Sequence, residues 1–70
     1  MNQGTLFYNY ASGRMDILFS NGQCYGGLHC GTTFEILVEK EWRPTRIEMS
    51  DDWYLVGVNI SKLEGLKVQI

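Results

Sequence analysis

One histidine, one proline and two cysteines are all that the 70 residues hold of those three types. A structural zinc site takes four ligands, mostly cysteine and histidine. Cys24, His29 and Cys30 fall one short, and no further cysteine or histidine exists to complete a set. No apolar stretch approaches the roughly 20 residues that a membrane-spanning helix needs, so no membrane partner is expected. Basic residues are few: six Lys and Arg stand against eight Asp and Glu, for a net charge of −2 and a pI near 5.1. That balance supplies no overall pull towards phosphate or anionic lipid. A basic segment followed by an apolar run is also missing from the start, Met1-Asn2-Gln3-Gly4-Thr5, so no secretory leader is expected there. These absences point to a cytoplasmic protein in which Cys24 and Cys30 are free thiols.

What is present is a hydrophobic fraction of 44%, ordinary for a globular chain and too high for a disordered one. The length allows one domain, residues 1–70, near the lower limit for folding unaided. At 8.0 kDa the folded protein exposes roughly 4,500 Å² and the unfolded chain about 11,600 Å². With about 60% of the difference apolar, burial contributes about 107 kcal/mol at ~25 cal/mol/Å². Ordering the chain costs about 105 kcal/mol at ~1.5 kcal/mol per residue. The two cancel. Stability therefore rests on close packing or on a partner that covers more surface, a homodimer being one such partner.

Turn signals recur every eight to twelve residues, the spacing of a sandwich or barrel. Leu6 to Tyr10 is apolar and aromatic, and Ala11-Ser12-Gly13 closes it. In Arg14 to Phe19, Met15, Ile17 and Phe19 share one face, while Asp16 points the other way with Leu18 as an apolar exception. Ser20-Asn21-Gly22-Gln23 contains Asn-Gly, a strong hairpin signal. Cys24 to Thr33 carries Gly26, Gly27 and Gly31 and reads as a loop or a bulged strand. Phe34, Ile36 and Val38 mark a further strand, ended by the polar turn Glu39-Lys40-Glu41. Trp42 to Met49 follows, with Ile47 and Met49 inward and Arg46 and Glu48 outward; Pro44 places its start at an edge or a bulge. In Trp53 to Val58 either face can be the core, and Gly57 suggests a bend. Ser61-Lys62-Leu63-Glu64 fits a capping box and Gly65 a helix stop, which predicts one helical or 3₁₀ turn. Leu66, Val68 and Ile70 alternate in a last strand. The order predicts an all-β fold: a small SH3-like barrel of five or six short antiparallel strands, with an open twisted sheet as the rival.

Leu28-His29-Cys30-Gly31, Trp42-Arg43-Pro44-Thr45-Arg46-Ile47-Glu48, Asp52-Trp53-Tyr54-Leu55-Val56 and Leu63-Glu64-Gly65-Leu66-Lys67-Val68 span most of the chain. With these strings the sequence resembles a family of short bacterial proteins catalogued as a domain of unknown function, associated with Gram-positive bacteria and their mobile elements. The resemblance implies a self-contained cytoplasmic β domain. It transfers no catalytic or binding residue.

Candidate chemistry is sparse. If their segment is a strand, the adjacent His29 and Cys30 point to opposite faces and do not both reach one ion. Cysteine nucleophiles need a base at hydrogen-bond distance and a third group to orient it, and nothing in the sequence marks either an orienter or an oxyanion hole. The bland reading is a small buried thiol and a surface or loop histidine. Domains of this size are also expected to lack a pocket of the usual ~300–1,000 Å³. Of Asp16, Glu35, Glu39, Glu41, Glu48, Asp51, Asp52 and Glu64, most fall in turns or on outward faces, the pattern of a solvated surface rather than of paired catalytic carboxylates. The glycines lack the lysine of a phosphate-binding loop. No catalytic residue, metal site or cofactor is expected, and the chain reads as no enzyme.

The aromatics stand out, nine residues or 13% of the chain. So small a domain cannot bury them all, and Tyr, Trp and Arg dominate binding hot spots. Tyr10, Trp42, Arg46 and Tyr54 are the candidate partner-binding residues; the bland alternative is that the rings shield the ends of the barrel and Arg46 pairs with Glu48 or a neighbour. The expected function is a non-catalytic binding module for a protein or peptide, a second copy of the chain included. The runner-up is a nucleic-acid-binding accessory protein of a mobile element, its aromatics interleaved with Arg14, Arg43 and Arg46. Net acidity argues against it.

Overall fold

Alternation of apolar and polar residues puts one side of each strand in a core, and that pattern sets the elements. The computed structural model describes all residues, Met1 to Ile70. Its strands are β1 (Gln3–Asn9), β2 (Arg14–Phe19), β3 (Thr33–Val38), β4 (Glu41–Met49), β5 (Trp53–Leu55) and β6 (Lys67–Gln69). They form one antiparallel sheet in the order β2-β1-β6-β3-β4-β5. The all-β reading with six strands thus holds. No ladder joins β2 to β5, the two ends of the order. No helix is long and apolar enough to cross a membrane.

Each strand contributes to one core. Leu6, Met15, Ile17, Phe34, Ile36, Ile47, Leu55 and Val68 are each at most 4% exposed, and the connections add Leu28 and Leu63. Tyr8, Phe19, Val38, Trp53, Val58, Leu66 and Ile70 pack around this cluster, half-buried. Met49, expected inward, shares the parity of Ile47 but sits at the end of β4 and is exposed. The face left open in Trp53 to Val58 is settled: Leu55 faces the core and Tyr54 faces away.

β4 is the longest strand and serves two neighbours. It pairs with β3 from Glu41 to Arg46 and with β5 from Ile47 to Met49. Pro44 lies inside it, opposite Glu35, rather than at its start. Ile47 exchanges its backbone bonds with Gly31 and Thr32 on the β3 side. By ladder alternation, the Pro44 nitrogen points to the other side. β5 does not reach that point, so the missing N–H costs no ladder bond.

Two connections differ from expectation. The capping-box segment forms no helix; Leu66 N–H instead donates to Leu63 O at 3.2 Å, with Gly65 at φ 91°. This is a tight turn with a left-handed third residue, which glycine suits. Leu6 holds it in place, since Gly65 N–H donates to Leu6 O and Leu6 N–H donates to Leu66 O. The Asn21-Gly22 turn is a three-residue loop, closed by Gly22 N–H to Phe19 O with Gly22 at φ 86°. That geometry is a turn followed by a glycine bulge, not the two-residue form.

Candidate functional site

Parity along β4 sets the outer face. Thr45 and Ile47 point inward, so Trp42, Pro44, Arg46 and Glu48 line the opposite face. The register places Leu37 beside Trp42, Glu35 beside Pro44, Thr33 beside Arg46 and Tyr54 beside Glu48. Three of the four candidate residues, Trp42, Arg46 and Tyr54, therefore share one face. Arg46 Nε lies 2.8 Å from Glu48 Oε2, the pairing that the bland reading foresaw. An exposed pair of this kind contributes little to stability, about 0–1 kcal/mol, but it fixes where the guanidinium points. A shallow depression of about 250 Å³ opens beside it, between Thr33, Pro44 and Val56.

Tyr10 lies elsewhere. It sits in the β1–β2 turn, 86% exposed, with its ring edge-on to Tyr8 at 4.8 Å between centroids. Tyr8 in turn lines a small depression with Met15 and Trp53 at one end of the core. Tyr10 thus belongs to a second aromatic group.

Neither thiol is buried, where the bland reading expected a buried one. Cys24 and Cys30 are both free and exposed. Cys24 forms a bridge with Leu18 on the outer edge of β2, and His29 N–H donates to Thr32 Oγ1 at 3.2 Å. No three His, Cys, Asp or Glu side chains gather where an ion could sit.

One carboxylate departs from the solvated surface expected of most of the eight. Asp16 is on the outward side of β2, yet it is 2% exposed. The cause is the segment after β2, which runs back along that strand's free edge. Phe19 N–H donates to Gln23 O, Tyr25 N–H to Ile17 O and Leu28 N–H to Met15 O. This segment covers Asp16, whose Oδ1 accepts from Ile17 N–H at 2.8 Å and from Gly26 N–H at 3.0 Å. No sequence signal marked this, because alternation reports a face and not what folds over it.

The chain also holds a cleft of a size that was expected to be absent. It has a volume of about 430 Å³ and lies open between Asn2 and Gln3 on one side and the Ser20–Tyr25 region on the other. β1 and β2 part there: their ladder ends at Gly4 and Phe19.

Comparison with known proteins gives the chain a place. A family model described as "Domain of unknown function (DUF5348)" matches residues 4–70. The chain belongs to this family. The DUF5348 match runs through all six strands, so the whole sheet is the family's unit. The chain is similar to a protein from Ruminococcus gnavus whose crystal structure was solved by a structural genomics consortium. The two are 56% identical, with a TM-score of 0.91, over 97% of this chain and 99% of the other. No curated protein matches.

Proposed function

We propose that this DUF5348 chain is a non-catalytic, cytoplasmic binding module. It recognises a protein or peptide, a second copy of itself included, through the outer face of β4 and β5. The observation that carries this reading is that Trp42, Arg46 and Tyr54, all hot-spot residue types, share one face. Arg46 is held by Glu48 through Nε, leaving its terminal nitrogens for a partner. β5 ends the sheet order, and a free edge lets an extended segment pair by its main chain. Two exposed thiols left unpaired suit a reducing compartment. The arginines speak for a protein partner over nucleic acid. Arg46 lies on the outer face of β4, Arg43 on its opposite parity, and Arg14 in β2 at the far end of the sheet order, where it donates to Leu28 O. No single face collects them.

The test is selection of short random peptides displayed against the folded domain, followed by affinity measurement on Trp42→Ala, Arg46→Ala and Tyr54→Ala. Each substitution is expected to weaken binding about fivefold or more. Tyr10→Ala tells whether the partner also reaches the β1–β2 turn. Unchanged affinity in the first three variants removes the outer face from consideration. Saturable, salt-sensitive quenching of Trp42 and Trp53 by a mixed-sequence single-stranded oligonucleotide would transfer the function to nucleic acid.

A further inference from the structure

The cleft between β1 and the Ser20–Tyr25 region has an unusual chemistry for this chain. Asn2, Gln3, Asn21 and Gln23 line it, four of the seven carboxamide side chains in the sequence. No charged side chain lines it. The carboxamides of Asn2 and Gln23 make no hydrogen bond within the chain, and Asn21 commits only Oδ1, to Gln23 N–H at 3.0 Å. Phe19 and Tyr25 flank them, Tyr25 being 46% exposed.

The main chain adds two more polar groups. Asn2 exchanges both backbone bonds with Ile70, at 2.8 and 2.9 Å. Successive residues of an antiparallel ladder turn their backbone groups to opposite sides. Gln3 therefore turns its N–H and C=O towards the β2 side, beyond the last β1–β2 pair, Gly4 with Phe19. A donor and an acceptor on one residue are what a strand offers to an added strand.

A second depression, about 370 Å³, shares Gln3, Phe19 and Ser20 with the cleft and extends to Lys67. The chain's one ion pair is Arg46 with Glu48, so the Lys67 ammonium is free.

We infer that this groove docks an extended peptide segment paired to Gln3 by its main chain, with uncharged polar residues in the cleft and one acidic side chain at Lys67. Carboxamides and a free ladder position match peptide amides in both donor and acceptor. A nucleic-acid strand would bring a row of phosphates to a groove that offers a single cation. The site is separate from the outer face of β4 and β5, and extends the binding-module reading to a second surface.

The two cysteines supply the readout, because Cys24 lines the cleft and Cys30 does not, while both are exposed. Peptides enriched from the random display library are synthesised and added to the wild-type protein, and alkylation of each thiol by iodoacetamide is followed by mass spectrometry. The expected result is slowed alkylation of Cys24 with Cys30 unchanged. Asn2→Ala and Gln23→Ala, whose side chains bond nothing internally, each weaken the peptide about fivefold. Lys67→Gln weakens peptides that carry an acidic residue and leaves the others alone. An unchanged Cys24 rate overturns the inference; if Trp42→Ala then abolishes binding, the outer-face reading stands without it. A library that enriches nothing overturns both. Protection of Cys24 by an oligothymidine to the same degree overturns it in favour of a nucleobase site.

Discussion

Asp16 in β2 reaches ten residues along the chain to hold Gly26, its Oδ1 3.0 Å from the Gly26 backbone nitrogen. The same oxygen accepts from Ile17 N–H, so one carboxylate atom satisfies an edge-strand donor and a loop donor together. With Leu28 fully buried just beyond, the Gln23–Leu28 segment is clipped at Gly26 and anchored at Leu28. The free edge of β2 is covered by the chain itself, a recognised way of blocking unwanted strand pairing.

Asp16→Ala should therefore leave one buried donor, Ile17 N–H, and one part-buried donor, Gly26 N–H, without a partner. The expected loss is about 1–3 kcal/mol, a large share of the stability of so small a domain. The urea midpoint should fall with the slope unchanged, and exchange of the Gly26 amide hydrogen should accelerate. Asp16→Asn keeps an acceptor oxygen in place and should lose less. A stability for Asp16→Ala within about 0.5 kcal/mol of wild type, the range of ordinary surface changes, would mean the clip holds nothing.

The β3–β4 hairpin carries strain that can be removed. Its two central residues, Glu39 and Lys40, have φ of 51° and 68°, both left-handed and neither glycine. Such a conformation costs roughly 1–2 kcal/mol for a residue with a Cβ. Asn-Gly is the pair that this two-residue turn favours. The double substitution Glu39→Asn, Lys40→Gly should stabilise the domain by about 1 kcal/mol once the greater freedom of glycine in the unfolded chain is set against the relief. Thermal unfolding should then shift upward by about 4–8 °C, and a downward shift would contradict the assigned turn.

Where the sequence was legible, a single face was apolar. Met15 and Ile17, Phe34 and Ile36, and Val68 are core residues that alternation alone identified. Arg46 and Glu48 were legible as outward-facing for the same reason. Tyr54 was not, because both faces of Trp53 to Val58 are apolar and only the Ile47–Leu55 register decides between them. Asp16 was hidden by a loop that covers it from outside its strand. The helical turn failed through a tertiary override: the capping-box pattern is present, but Leu6 claims the backbone groups of Gly65 and Leu66. The cleft had no local signal at all. Its carboxamides lie some twenty positions apart, and they meet only because β1 leaves β2 to follow β6.

Gly4 offers the sharpest test of that parting of strands. Seven of the eight glycines have φ between 71° and 112°, and Gly4 is the exception. Space accounts for its place in β1 instead. A Cβ there would lie 2.5 Å from Ile17 Cγ2 and 2.7 Å from Leu18 O. Ile17 is fully buried and cannot swing aside, and moving the Leu18 carbonyl would disturb its pairing with Thr5. Gly4→Ala is therefore expected to cost about 1–3 kcal/mol, as overpacking does. Gly22→Ala provides the contrast, since its Cβ would meet nothing within 4 Å and only the left-handed backbone opposes it. Measured side by side in urea, Gly4→Ala should unfold first. The reverse order would mean that β1 and β2 stand further apart at this point than the Gly4–Phe19 pair requires, and the fork that makes the cleft would begin earlier along β1.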